Sequence, residues 1–262
     1  MFKVITRKDF TNGTVWALET PDGFPIEVTD TFLPAYTKYT PDNSNVLHDS
    51  SVGSRKERWM VGVSVMSGCP IHCKFCATGK LKKWRNLTAE EIVEQIKFVL
   101  SFHSDIDPNK SIEFKINYTR MGEPFLNIDN VKETIDIVER EICKKAHHYV
   151  STIGINDSDF SFVKDNITLQ LSLHSLDEDA RNRLIPYRKK LTIEELGQIR
   201  TKSDLKTTIN MTLVDFSDFD IAKLRKSFDP KYFFIKLSPI NLNEISEEND
   251  LGGGIIKQVN II

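Results

Sequence analysis

Residues 59–79 read WMVGVSVMSGCPIHCKFCATG. An apolar run from Trp59 to Met66 has the length and composition of a strand, and it ends at a loop carrying three cysteines. Beyond the loop, residues 85–96 read RNLTAEEIVEQI. There Thr88 and Glu91 have the spacing of a capping box, which starts a helix. Strand, loop and helix in that order form a βα unit, and the pattern repeats towards the C-terminus. Strands are expected at Trp59–Met66, Ile112–Tyr118, His148–Thr152, Ile167–His174, Thr207–Val214 and Phe233–Pro239. Helices are expected from near Thr88, Ile128, Ser158, Leu176 (with a second piece from Thr192) and Phe219. Six parallel strands with right-handed crossovers predict an α/β fold, a partial (β/α)6 barrel with its working residues at the carboxyl ends of the strands.

Upstream, Gly13–Val28 reads as two strands around a Pro-Asp-Gly turn in which Gly23 supplies a positive φ. This is an N-terminal β-hairpin extension. Between Thr29 and Glu57 the periodicity fades and turn-forming residues accumulate, so a linker or surface loop is expected. The expected organisation is extension and linker over 1–58, barrel over 59–243 and a C-terminal tail over 244–262. Gly252-Gly253-Gly254 marks a flexible break, and the ending IIKQVNII reads as an unfinished helix.

The 262 residues suffice for one barrel domain, and 40% hydrophobic with 27% charged residues is ordinary for a globular chain. Thirty-five basic against 37 acidic residues give a net charge of -2, so no global positive field draws in nucleic acid. No apolar run is long enough to span a bilayer and no signal-peptide core is present, which predicts a cytoplasmic protein with no membrane partner.

Four cysteines, three of them packed into one short loop, do not form a secreted disulfide framework. Cys69, Cys73 and Cys76 have the spacing C-x3-C-x2-C, with Phe75 just before the last. Three thiolates on a tight loop suit three corners of a [4Fe-4S] cubane. The fourth iron then stays open, and an open iron is able to chelate the amino and carboxylate groups of S-adenosylmethionine (SAM), whose reductive cleavage gives a 5′-deoxyadenosyl radical. The alternatives are a zinc knuckle, with His72 as a candidate fourth ligand, and more broadly a cluster- or zinc-bearing binding module without catalysis. Cys143, in the helical stretch VKETIDIVEREICKK, reads as a small apolar filler.

Around the cysteine loop, several segments resemble the Cfr/RlmN family of radical SAM adenine methyltransferases, which act on ribosomal RNA and, in one branch, on transfer RNA. They are CKFCATG and RNLTAEEIVEQI, MGEPFLN (121–127), VSTIGI (150–155), LSLHSLDEDARNRLIP (171–186), TLVDFSD (212–218) and SPIN (238–241), in the family's order. The resemblance implies that Gly122 and Glu123 belong to the SAM site, Glu123 accepting hydrogen bonds from the SAM ammonium. It implies that Phe75 borders the cofactor, that Ser151 holds the methionine part, that Ser172 and His174 line the ribose side, and that Asn241 contacts the adenosine. It also implies a flavodoxin or ferredoxin as electron donor. Arg120 stands where the family usually has Gly, bringing a cation towards the substrate. Lys80, Lys82, Lys83 and Arg85, interleaved with Trp84, are suited to gripping phosphates and stacking a base.

The family's methyl transfer needs two further cysteines, a methyl carrier near the C-terminus and a resolving residue just before the cluster loop. The resolving position is Gly62, and no cysteine follows Cys143. Family members also continue beyond the position of Ile262, and the ribosomal branch carries an N-terminal RNA-binding domain where only residues 1–58 precede the barrel here. Direct hydrogen abstraction from a nucleotide or nucleic-acid base is therefore the leading expectation. An RNA methyltransferase completed by a second chain, docked at the C-terminal end, is the alternative.

Overall fold

The structure is a computed structural model describing residues 2–35, 52–213, 219–240 and 242–251. Three antiparallel strands, β1 (Lys3–Phe10), β2 (Gly13–Glu19) and β3 (Pro25–Leu33), lead the chain. Six parallel strands follow in sequential spatial order: β4 (Arg58–Val63), β7 (Glu113–Tyr118), β8 (His147–Thr152), β9 (Ile167–Ser172), β10 (Thr207–Leu213) and β11 (Phe233–Pro239). β3 pairs antiparallel with β4, so all nine strands form one sheet. Residues of β4 and β11, the two ends of the parallel part, line the same interior cavity. The sheet is therefore curled into the expected partial barrel. Two short strands, β5 (Met66–Ser67) and β6 (Arg85–Asn86), pair across the base of the cysteine loop.

Alternation along the strands assigns the two faces. Val61, Ile116, Val150, Leu169 and Ile209 are fully or almost fully buried on the outer face. Helices α1 (Ala89–Ser101), α2 (Ile128–Ile137), α3 (Glu178–Leu184), α4 (Ile193–Gly197) and α5 (Ile221–Ser227) connect the strands, and α6 (Glu244–Glu248) follows β11. α1 begins with the expected capping box, Thr88 with Glu91, and buries Ile92, Val93, Ile96 and Val99 at helical spacing.

Two expectations are corrected, and the N-terminal hairpin gains a strand. The expected hairpin is present as β2 and β3, with Gly23 at φ 84°, and β1 adds a third strand that the sequence does not mark, since every residue of it is exposed and KVITRKDF shows no alternation. Residues from Thr29 to Leu33 are strand, not loop, since Thr29 to Leu33 pair with Gly62 to Arg58. Residues 36–51 of the expected linker, the loop 214–218 and the 252–262 ending lie outside the described residues. No helix starts near Ser158: Asp159 accepts from Ser161 N at 2.7 Å and Ser161 Oγ at 2.8 Å, a local alternative to helical bonding. Cys143 caps a π-turn after α2 and is buried, as expected of a filler.

Candidate active site

The cysteine loop is fixed from three directions. Where β4 ends, the buried Gln95 of α1 accepts from Ser64 N and donates to Ser64 O, both at 2.9 Å. Asn127, also buried, donates to Val65 O and Leu87 O at 2.8 Å, tying the strand exit to the loop's return. Ser67 Oγ donates to Pro25 O at 2.7 Å, and Arg85 bridges Glu91 and Asp22, so the N-terminal strands brace the loop from outside. Within the loop, Lys74 N donates to Leu184 O at 2.9 Å and Asn243 Nδ2 to Phe75 O at 3.0 Å.

This scaffold encloses a cavity of about 190 Å3 lined by Cys69, Cys73 and Cys76 and by Phe75, Gly122, Glu123, Ser151, Ser172 and His174. Every expected site residue is therefore gathered there except Asn241, which lies outside the described residues. Thr119, Thr152 and Ile153 line it as well.

Glu123 is not a solvated loop carboxylate. It is 4% exposed, and its two oxygens accept from Phe125 N at 3.1 Å and Ile153 N at 3.0 Å. Burial nevertheless pushes its pKa up to about 7, against the lowering effect of these bonds and of Thr152. Gly122 places it: its φ of 99° is costly for a side chain, and a Cβ would lie 2.5 Å from Met66 Cγ and 2.9 Å from Met66 N. His174 stands two residues past the end of β9 with φ 62°, and its ring meets Phe75 edge-on at 4.7 Å. Its Nδ1 accepts from Thr212 N at 3.0 Å, which leaves Nε2 as the proton carrier, and burial lowers its pKa to about 4. Ser151 Oγ donates to Gln170 Oε1 at 2.8 Å, and its oxygen keeps acceptor capacity.

Several further residues support the site without having been singled out from the sequence. Gln95 and Asn127 fix the loop as described. Arg181 is fully buried and donates to Ile153 O and Leu191 O, both at 2.7 Å, so it holds the peptide whose neighbouring N–H binds Glu123. Nothing in the sequence marks them, because their partners are backbone groups distant along the chain. Arg120 pairs with Glu27 across Gly62. A Cβ at position 62 would lie 2.4 Å from Thr29 Oγ1 and 3.0 Å from Arg120 Cδ. In the basic run, Arg85 is consumed by Glu91 and Asp22 and Lys80 pairs with Glu244, while Lys82, Lys83 and Trp84 are exposed. His72 does not line the cavity, and its Nδ1 lies 3.3 Å from Gly79 O.

The family model described as the radical SAM superfamily matches residues 63–228, more than half of the chain. The chain belongs to the radical SAM superfamily. It is homologous to proteins described as probable dual-specificity RNA methyltransferase RlmN. The one from Pseudothermotoga lettingae is 36% identical over 68% of this chain and 54% of its own length. The one from Dictyoglomus turgidum is 39% identical over 55% of this chain and 42% of its own. One from a Thermotoga species is 30% identical over 91% of this chain and 64% of its own. The chain thus spans about half the length of the first two. The crystal structure of a radical SAM methyltransferase from Sphaerobacter thermophilus matches with a TM-score of 0.63 at 22% identity, covering 92% of this chain and 67% of that one, which supports the partial-barrel fold.

Membership makes this radical SAM protein an enzyme and implies SAM and a [4Fe-4S] cluster. The donor set fits such a cluster. Burial, with the charges of the neighbouring thiols and Glu123, pushes the Cys69 thiol up to about 12 and Cys73 well above the usual range. Thiolates so crowded need a compensating cation, which iron supplies. Among the described residues no three His, Cys, Asp or Glu groups converge on a single ion. In a cubane each cysteine binds its own iron, so convergence on one point is not required. Among those residues, also, no helix is long and apolar enough to cross a membrane.

Proposed function

We propose that Cys69, Cys73 and Cys76 hold a [4Fe-4S] cluster and that the adjoining cavity binds SAM, whose 5′-deoxyadenosyl group abstracts hydrogen directly from a nucleotide or nucleic-acid base. One observation carries the reading: the three cysteines share a cavity with Glu123, Ser151, Ser172 and His174, contributed from the ends of successive strands. The cluster, when bound, supplies one electron that splits SAM into methionine and the adenosyl radical.

The protein's own groups bind and orient. Glu123, held rigid by two backbone N–H groups, accepts from the SAM ammonium. That cation stabilises the carboxylate against the burial that otherwise favours its acid form. Ser151 holds the methionine part, and Ser172 with the neutral His174 lines the ribose side. Phe75 and Gly122 border the cofactor, and Asn241 contacts the adenosine. A flavodoxin or ferredoxin supplies the electron.

The test is an anaerobic assay of reconstituted, dithionite-reduced protein with SAM, with Cys76→Ala as control. 5′-Deoxyadenosine that vanishes in the control is expected. Its absence from protein carrying four irons would sink the proposal. The naming of the relatives favours a second reading, RNA methylation with a methyl-carrying thiol supplied by another chain. That reading predicts S-adenosylhomocysteine on mixing with RNA and such a partner, and fails if the chain turns over substrate alone.

A further inference from the structure

On its outer side the cysteine loop carries a patch that the chemistry above leaves unused. The residues leading into β6 are Lys82, Lys83 and Trp84, all of them exposed, and Trp84 is 49% exposed. A lone exposed tryptophan is common in itself, so its position decides what it means. Gly68, which precedes Cys69, has a φ of 70°, and a Cβ on it would lie 2.5 Å from Lys83 O and 2.9 Å from Trp84 Cβ. Lys83 and Trp84 therefore rest directly on the residue before Cys69. They are held there, because Ser67 pairs with Arg85 and Arg85 bridges Glu91 and Asp22. The patch also faces away from the interior. A cavity of about 740 Å3 shares Phe75, Cys76 and Thr119 with the cysteine cavity, and Leu81 lines it, but Lys82, Lys83 and Trp84 line neither of the two.

Each cleavage of SAM consumes one electron, and that electron comes from outside the protein. SAM and substrate take the barrel side of the loop, which leaves the outer side to the donor. We infer that Trp84, with Lys82 and Lys83, is the docking surface for an acidic one-electron carrier protein. This rests on the radical SAM reading above and adds the place at which the electron enters. The indole supplies the large desolvated contact found at the centres of protein interfaces, and the two lysines steer an acidic partner onto it. Lys80 and Arg85, committed to Glu244 and to Glu91 and Asp22, brace the loop, and the exposed Lys74 between Cys73 and Cys76 adds a further charge to it. In the transfer the carrier is oxidised by one electron and the cluster reduced by one, and no bond forms or breaks. A single strand of nucleic acid is the competing occupant of a Lys-Lys-Trp segment. The carrier is favoured because the patch abuts the residue before Cys69 and lies outside both cavities that lead to the SAM site.

The experiment is anaerobic calorimetry on the full, reconstituted chain at low and at physiological salt, titrating oxidised flavodoxin, oxidised ferredoxin and a single-stranded RNA oligonucleotide. At least one carrier is expected to bind at low salt with a Kd below about 100 μM, and several-fold more weakly at physiological salt. Trp84→Ala, and Lys82→Glu combined with Lys83→Glu, should each weaken that binding by at least about tenfold, and the double variant should lose most of the salt dependence. The altered side chains are exposed, so both variants should melt with the wild type. In both, reduction of the cluster by the reduced carrier, followed by its paramagnetic signal, should slow by about tenfold. Reduction by dithionite, and the 5′-deoxyadenosine it yields, should stay unchanged. No binding by either carrier, binding indifferent to both variants, variants equally slow with dithionite, or variants that weaken RNA and not the carrier would each overturn the inference. Wild-type protein that carries four irons and gives no 5′-deoxyadenosine with dithionite would instead sink the radical SAM reading, whatever the carriers do.

Discussion

Glu123→Gln removes a charge while keeping the shape of the site. In the fold the wild-type carboxyl has its pKa raised from 4.5 to about 7 by burial. The raised value fixes the sign: this group's contribution to stability is complete below 4.5 and is lost as pH rises through about 7, because the unfolded chain ionises first. The difference corresponds, at about 1.36 kcal/mol per tenfold change in proton affinity, to about 3 kcal/mol. Glutamine has no such loss. The melting temperature of the variant relative to wild type should therefore rise between about pH 5 and pH 8, by about 6 to 12 °C for a chain of this size. Excess SAM should flatten the wild-type pH dependence, since its ammonium stabilises the carboxylate, and should leave the variant unaffected. Anaerobic differential scanning fluorimetry across that range reads both effects. A difference between the proteins that stays constant with pH would refute the burial argument, and a wild-type slope indifferent to SAM would refute Glu123 as the ammonium's partner.

Arg181→Leu should destabilise the fold by about 2 to 6 kcal/mol, because the carbonyls of Ile153 and Leu191 lose their donor, and thermal melting would reveal it. Gly122→Ala forces a side chain into a left-handed backbone against Met66, so a loss of at least about 2 kcal/mol is expected, with weaker SAM binding in equilibrium dialysis. Gly62→Cys should be destabilising alone and relieved in part by Arg120→Gly, since Arg120 occupies the space a thiol would need; a double-mutant cycle that proves additive would contradict this.

The parallel strands were legible because each is a short run rich in β-branched residues between turn signals, and all six were found within a few residues of their ends. The cysteine loop was legible from spacing alone, and the remaining site from resemblance, because its residues sit in short contiguous motifs at strand ends. What escaped the sequence depends on partners distant along the chain. β1 carries no alternation, and its register is set by pairing with β2. Gln95 and Arg181 lie on otherwise ordinary helices, and only the fold shows that they face backbone groups of the site. Arg85 and Lys80 read as a basic patch, yet their carboxylate partners come from residues 22, 91 and 244.

The N-terminal strands act on the chemistry by fixing the edge of the barrel from which the cysteine loop departs. A partial barrel leaves its first parallel strand with an open edge, and β3 covers it by antiparallel pairing with β4. The junction is pinned by Asp30, fully buried and bonded to Arg55, to Trp59 Nε1 at 2.8 Å and to His103 Nε2 at 3.0 Å, which ties β3, β4 and the turn after α1 together. From the same strand Pro25 O and Glu27 O each take a serine hydroxyl, of Ser67 and Ser64, at 2.7 Å. The carboxylate of Glu27 holds Arg120, two residues before Gly122. One edge strand thus sets the positions of both the cysteine loop and the Gly122-Glu123 turn, the two segments between which SAM is proposed to lie. Loosening β3 should therefore weaken SAM binding before it unfolds the barrel. Asp30→Asn, which keeps shape but removes the charge facing Arg55, should raise the SAM dissociation constant while the parallel strands keep their hydrogen-exchange protection, and an unchanged constant would break this link between the extension and the site.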